Sequence, residues 1–329
     1  MRTSNWLRVV PLLLAFALPV PAGEVAIFTG TVNWMTKAVA DAQAQICVDR
    51  LESAGIEYIW FADPGDEGSL ADWVEATTND GEVDVLILYG YFPPSIYPIG
   101  NGMPDGSIAE LFIESTDGDA IINHGDWMFY VNLQTNNGPG GLQNMMDIPG
   151  ISMAGDNNPM TVTPEGAEIA PSLTDFLSDR PFHVDELAGD WFVEASLAEN
   201  EAGTRADPII VRDGDRGRLI PLFQAADQND PKGAVAAEII AWLMDEVLLP
   251  TQLGFTGPAT GVTGTSAKLK VSLQDGSGIP TPPDGGATTV NLASDSATGA
   301  FDTAWGGVFD GTVTSVTIPA GEASATVYY

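Results

Sequence analysis

The residues with the strongest claim to chemistry are His124 and Asp126, in the stretch AIINHGDWMFYV. An imidazole and a carboxylate this close are the parts of a general acid–base pair. A short apolar run ends at His124, Gly125 and Asp126, and aromatics follow at once. Such a pattern marks a buried strand that ends at the rim of a ligand crevice. Several hydrolytic α/β families carry a nucleophile at this kind of turn, whereas this turn has neither Ser nor Cys. Whether the two side chains meet depends on the turn through Gly125.

Two other strand ends carry residues suited to a crevice. The first offers Thr29, Gly30, Thr31, Asn33 and Trp34, and the third offers Tyr89, Gly90, Tyr91 and Phe92. With Trp127 they supply hydroxyls, an amide and aromatic walls, the composition of small-molecule and sugar sites. The candidate ligand-binding set is Thr31, Asn33, Trp34, Tyr91 and Trp127, around the candidate catalytic pair. Aromatics and glycines also close sheet edges without binding anything.

Other chemistry finds less support. The second histidine, His183 in DRPFHVDEL, has no tight metal-ligand spacing around it. The DGD segments at 117–119 and 213–215 read as solvated turns. No EF-hand loop, phosphate-binding loop or G-x-S-x-G elbow is present, and no metal or cofactor is expected. The single cysteine, Cys47, lies in AVADAQAQICVDRLESAG among apolar residues at helical spacing, so a buried small hydrophobe is expected there.

Positioning these residues requires a parallel sheet. VAIFTG, IEYIWFA, VDVLILYG and AIIN read as strands. Helices over 37–54 (closed by Gly55), 69–77 (with Ser69 as N-cap) and 107–115 separate them. Strands alternating with helices, one of them apolar nearly throughout, predict a sheet covered on both faces. PMTVTPEGAEIAPSL and WFVEASLAEN read as strands and loops of an insertion or a sheet extension. PIIVRDGDRGRLIPLFQA reads as a hairpin turning at Asp213-Gly214-Asp215, followed by a helix over 232–248. NNGPGGLQNMMDIPG reads either as a lid or as a surface connection with a short helix. Residues 251–266 read as a Gly/Thr-rich linker, and the alternating segments over 267–329 read as a β-sandwich module.

Residues 1–22 have the form of a secretory signal, with Arg2 and Arg8 ahead of an apolar stretch and small residues before a cut after Ala22. No later segment is apolar enough to cross a membrane. The formal net charge is -33. Such a surface repels nucleic acid and anionic lipid. It suits solubility in salt, and cation binding is the sharper alternative. One cysteine in an exported chain leaves no internal disulfide.

Two segments together resemble the trehalose-utilisation (ThuA-like) proteins. IINHGDW is similar to that family's strand-to-His turn, and PIIVRDGDRGRLIPLFQAADQ to its hairpin near the domain end. The resemblance covers 24–250 and implies a class I glutamine amidotransferase-like, flavodoxin-like fold. The amidotransferase elbow cysteine is replaced here by His124, Gly125 and Asp126. The family's Gly-His pair after the hairpin is replaced by Gln224-Ala225-Ala226-Asp227. Glutamine hydrolysis is therefore not expected. The tail, with LKVSLQDGSGIP, TTVNLASDSATGAF and SVTIPAGEASATVYY, resembles bacterial Ig-like repeats, which continue past the Tyr-Tyr stretch. The resemblance implies an incomplete module, part of a longer surface chain.

The expectation is an exported or cell-surface protein with a non-catalytic binding domain, its ligand a carbohydrate or other small molecule, and an Ig-like spacer. Two readings stand against it: a hydrolase or sugar-modifying enzyme using His124 and Asp126, and a calcium-dependent adhesin.

Overall fold

The computed structural model describes residues 23–32, 34–124, 128–132, 136–153, 155–224, 227, 229–244, 252–257, 266–274, 287–294, 299–319 and 322–329. The signal segment, Asn33, Gly125, Asp126 and Trp127 lie outside the described residues.

The chain opens with β1 (Val25–Phe28), α1 (Lys37–Ala54), β2 (Tyr58–Phe61), α2 (Glu67–Thr77), β3 (Val85–Leu88), α3 (Ile108–Ile113), β4 (Ala120–Asn123) and α4 (Gly140–Met146). It continues with β5 (Asn158–Val162), α5 (Pro164–Ile169), β6 (Phe176–Ser178), β7 (Phe182–His183), β8 (Trp191–Ser196), β9 (Ala198–Glu199) and β10 (Arg205–Ala206). Then come β11 (Ile209–Asp213), β12 (Arg218–Pro221) and α6 (Lys232–Leu243). The tail holds β13 (Gln252–Thr256), β14 (Lys268–Gln274), β15 (Thr288–Asn291), β16 (Ser315–Ile318) and β17 (Ser324–Tyr328).

A seven-stranded sheet in the order β2-β1-β3-β4-β12-β11-β8 is the frame. The pairs β1–β2, β1–β3, β3–β4 and β4–β12 are parallel, and the β12–β11 and β11–β8 pairs are antiparallel. VAIF, VLIL and AIIN are buried at every position. This follows from a sheet covered on both faces, where each Val, Leu, Ile or Phe side chain contributes roughly 1.5–3 kcal/mol of burial. Alternation sends Val25, Ile27, Val85, Ile87, Ala120 and Ile122 into one layer with α1 and α6. Ala26, Phe28, Leu86, Leu88 and Ile121 enter the opposite layer with α2, α3 and α4.

On α1 the stripe Ala40, Ala44, Cys47, Val48 and Leu51 is buried. Thr36 caps its start, and Gly55, at φ 75°, closes it in the left-handed region that glycine tolerates best. The helix predicted from Ser69 begins at Glu67, with Asp66 as N-cap, and Ser69 lies inside its first turn. The hairpin turns where predicted, between β11 and β12.

Two segments, 164–169 and 252–256, depart from the sequence reading. Residues 164–169, read as strand and loop, form α5; the Thr163 hydroxyl accepts from the Gly166 N–H at 2.8 Å and Pro164 sits at the first helical position. The strands of this region divide between the two roles expected of them: β8 extends the main sheet as its edge, and β6-β5-β9-β10-β7 form a separate sheet. Residues 252–256, read as linker, form β13, hydrogen-bonded to β14 with Leu253 opposite Leu273 and Phe255 opposite Val271. The period of two was present but masked by neighbouring glycines and threonines. The segment over 136–150 is no lid on the histidine face: Leu142, Met145 and Met146 of α4 are buried in the opposite layer with Phe129.

The tail forms two small sheets, β13-β14-β17 and β15-β16, around Val271, Leu273, Val290, Val316, Ile318 and Val327. No helix among the described residues is long and apolar enough to cross a membrane.

Candidate functional site

The carboxyl ends of β1, β3, β4 and β12 lie side by side, so the residues just beyond them meet. The backbone ladder continues past the strands: Tyr89 N–H donates to Phe28 O at 3.0 Å, His124 N–H to Leu88 O at 3.0 Å and Leu222 N–H to Asn123 O at 3.1 Å. Strand alternation carries Thr29, Tyr89 and His124 to the face covered by α1 and α6. Tyr89 packs in that layer beside Cys47. Thr29 Oγ1 accepts from Lys37 Nζ at 3.3 Å and from Trp60 Nε1 at 3.0 Å. Gly30 permits this crowding, because a Cβ there would lie 2.6 Å from Asp63 O.

His124 is fully buried, with its ring edge-on to Tyr89 at a centroid distance of 4.4 Å. Burial first, and the nearby Lys232 cation second, push its pKa well below the ordinary value of 6.5. The ring is therefore neutral, with one donor and one acceptor nitrogen. Among the described residues neither nitrogen has a hydrogen-bond partner. Thr31 Oγ1 is likewise buried without a partner among the described residues, whereas the Tyr89 hydroxyl faces the Cys47 thiol, a weak hydrogen-bond partner. Each such group costs about 1–3 kcal/mol of lost solvation. Several such atoms at one strand-end rim are groups that a bound water or a ligand would satisfy.

Around this cluster lies a satisfied shell. Asn123 Nδ2 donates to Leu88 O at 3.3 Å and to Gly90 O at 3.2 Å, and Gln224 Nε2 donates to Asn123 O at 2.8 Å. Buried Asp207 accepts from Phe223 N–H at 2.7 Å, Gln224 N–H at 3.0 Å and Ser178 Oγ at 2.6 Å. Burial outweighs those bonds and raises its carboxyl to about 6. Lys232, the first residue of α6, is 2% exposed. Its Nζ is 3.7 Å from Asp230 Oδ2 and 5.3 Å from the Phe223 ring centroid. Burial lowers its pKa, against the opposing pull of Asp230 and Asp207.

The structure thus brings Thr31 and His124 to the carboxyl-end rim of the sheet. Trp34 is 61% exposed on the loop after β1, with φ 65°, and Tyr91 is half-buried after β3. Phe92 turns to the opposite layer and stacks on Phe129. Asn33, Asp126 and Trp127 lie outside the described residues, so the proposed acid–base pairing rests on His124 alone here. Cys47 offers no nucleophile to the cluster, since burial lifts its thiol to about 12.

Lys232, Asp207 and Gln224 are missing from the sequence-derived site, and Tyr89, offered at the third strand end, is not placed in its ligand-binding set. A signal for Lys232 existed in the scarcity of lysine, which occurs only at positions 37, 232, 268 and 270. Both lysines of the α/β part open helices, α1 and α6, over the same face of the sheet.

His183 belongs to a different setting, on β7 of the five-stranded sheet. Its Nδ1 is 2.9 Å from Glu186 Oε1 and 3.4 Å from Ser152 Oγ, and its Nε2 is 3.6 Å from Asp156 Oδ2. Serine and carboxylate share one nitrogen, which is not the arrangement of a hydrolytic triad. Among the described residues, no group of three or more His, Cys, Asp or Glu side chains is placed to hold a metal ion.

No protein-family model and no curated protein matches the chain. Solved structures similar to it include a cold-adapted β-galactosidase from Rahnella sp. R3, at 13% identity and TM-score 0.39, covering 94% of this chain and 41% of that one. A β-galactosidase from Bacillus circulans sp. alkalophilus is similar at 12% identity and TM-score 0.38, with 93% and 41% covered. A protein described as ThuA-like, from Bacteroides uniformis ATCC 8492, is similar at 11% identity and TM-score 0.39, with 70% of this chain and 94% of that one covered. The chain spans about two fifths of the length of the two galactosidases. Likeness at this level assigns no activity.

Proposed function

We propose that the α/β part of this chain is a flavodoxin-like, ThuA-like binding module of an exported protein. It takes a small hydroxylated ligand, a carbohydrate in the leading case, in the crevice at the carboxyl ends of β1, β3 and β4. The observation that carries the reading is the set of buried polar atoms left without partners among the described residues: both nitrogens of His124 and Thr31 Oγ1. Each can donate and accept, or splits the two roles between ring nitrogens, as vicinal sugar hydroxyls require. Exposed Trp34 adds an aromatic surface near the same rim. The sheet order β2-β1-β3-β4-β12 agrees with the flavodoxin-like arrangement, whose ligands bind beyond the strand ends.

Binding is favoured over turnover because the one described candidate for acid–base work is buried, neutral and without a carboxylate partner among the described residues. The tail serves as an Ig-like spacer in this proposal. A glycan array probed with the protein, followed by calorimetry on the hits, tests it. The reading predicts saturable binding that His124→Leu weakens at least tenfold. Saturable binding left unchanged by that substitution would move the site elsewhere.

A further inference from the structure

The amino end of the sheet holds a carboxyl with half of its capacity unspent. Asp84, just ahead of β3, is 1% exposed. Its Oδ1 accepts from the Glu24 N–H at 2.6 Å, and its own N–H donates to Asp119 Oδ1 at 3.0 Å. Its Oδ2 is buried with no hydrogen-bond partner among the described residues. The charged neighbours acting on it are acids: Asp80 and Glu82 in the loop before β3, and Glu24 ahead of β1. Asp119, at the start of β4, is an acid too, and its Oδ2 is taken by Ser115 Oγ at 2.6 Å. Burying a carboxylate is costly unless a cation or a proton meets it, and burial holds this one up at about 7.

The backbone that reaches Asp84 is the first of the described chain. Val85 N–H donates to Glu24 O at 2.9 Å, so the β1–β3 ladder runs back through Glu24. Gly23 lies flush on the neighbouring strand: a Cβ there would stand 1.8 Å from Val83 O, which demands glycine. Three covalent bonds separate the Gly23 and Glu24 nitrogens, a reach of at most about 4 Å. The hydrogen bond from Glu24 thus keeps the Gly23 nitrogen close to the Asp84 carboxyl. Gly23 is also the residue that follows the expected leader cut after Ala22. The two signs are independent, because the cut is read from Val20-Pro21-Ala22 and the contact from the sheet.

We propose that Asp84 is the receptor for a chain end made by processing: with residues 1–22 removed, the Gly23 α-ammonium pairs with Asp84 Oδ2 and fixes the start of β1 in the sheet. The proposal rests on the export reading above and not on the crevice, which lies at the other end of the strands. A leader peptidase adds one water across the Ala22–Gly23 bond. Ala22 leaves as a carboxylate with the leader, and Gly23 keeps an amine that takes a proton at neutral pH. Rotation about the Gly23 Cα–C bond, free once the bond ahead is cut, swings the ammonium onto Oδ2. The chain's own terminus then supplies the missing cation, so removal of the leader also completes the fold.

The test compares two chains released from a cleavable fusion, one beginning at Gly23 and one keeping Pro21-Ala22 ahead of it. The chain beginning at Gly23 melts at least about 3 °C higher at pH 7, and Asp84→Asn removes that gap. Its terminal amine also reacts with an acylating reagent at least about tenfold more slowly than the same amine in Asp84→Asn, since only the unprotonated amine reacts. Should Asp84→Asn fail to fold, the melting gap and the acylation ratio between the two wild-type chains still decide. Equal melting temperatures, or a gap that survives Asp84→Asn, overturn the proposal. So does an exported chain whose first residue, by mass spectrometry, is not Gly23. The binding role stands in either case.

Discussion

His124 shows how a single residue trades stability for a site. A buried imidazole with neither nitrogen bonded among the described residues is a liability in a folded chain. His124→Leu should therefore raise stability by about 1–2 kcal/mol in a chemical denaturation curve while it removes ligand binding. A loss of stability would show that the ring is satisfied in the native state. Its depressed pKa also has a pH signature. The folded value lies below the unfolded 6.5, so this contribution to stability is present above pH 6.5 and is lost as pH falls below it. The variant should lose that acid-side dependence. Cys47 behaves oppositely, as a residue with no role beyond packing: a thiol reagent should leave the native chain unmodified and label it only on unfolding. At this scale the sequence reading found His124 from its place after an apolar run. It passed over Lys232 because Pro-Lys-Gly looks like any helix start until its burial is known.

Elements are positioned by two buried polar devices. On the α1–α6 face, Arg50 Nη1 donates to Glu238 Oε1 at 2.5 Å, and Glu238 also accepts from Ser172 N–H at 3.1 Å and Ser172 Oγ at 2.7 Å. Both partners are nearly inaccessible, at 1% and 4%. Glu238→Ala, which strands the guanidinium, should cost about 3–5 kcal/mol in urea denaturation. Arg50→Met with Glu238→Leu should cost much less. At the opposite end of the sheet from the crevice, Asp84 and Asp119 sit at the starts of β3 and β4. Asp84 Oδ1 accepts from Glu24 N–H at 2.6 Å, and Asp119 Oδ1 from Asp84 N–H at 3.0 Å. Burial raises both carboxyls to about 7. Raised folded values mean stability that is full below the unfolded pKa near 4 and is lost as pH rises through 7. In the chain that keeps residues ahead of Gly23, Asp84→Asn keeps the acceptor and should gain on the wild type by about 2 kcal/mol between pH 4.5 and 8. A constant difference across that range would place the charge elsewhere. The strands and α1 were legible because apolar runs and a glycine cap are local signals. α5 and β13 were not, because Thr163-Pro164 and Leu253-Gly254-Phe255 are short, and tertiary pairing decides them.

For the whole molecule the dominant fact is charge. With 45 acidic residues against 12 basic, self-repulsion opposes the compact state. Raising salt from about 20 mM to 300 mM should raise Tm by several degrees through screening alone, and sodium and calcium should act alike at equal ionic strength. A calcium effect beyond sodium would revive the adhesin reading. The alternation of strands and helices made the covered parallel sheet legible, and with it the rim where distant residues meet. What composition could not show is which polar atoms the fold leaves unpaired, since that depends on every neighbour of a side chain at once.

The central claim is that His124 is a neutral, buried, ligand-facing ring. The chain has only two histidines, so its ring nitrogens can be followed one by one. Nitrogen-15 spectra of the imidazoles should be taken from pH 6 to 8, without ligand and with a saturating carbohydrate found on the glycan array. The account predicts a His124 ring that stays neutral throughout and whose nitrogen signals move when the carbohydrate binds. A ring that protonates near pH 6.5, with signals that the bound carbohydrate leaves unmoved, would contradict it.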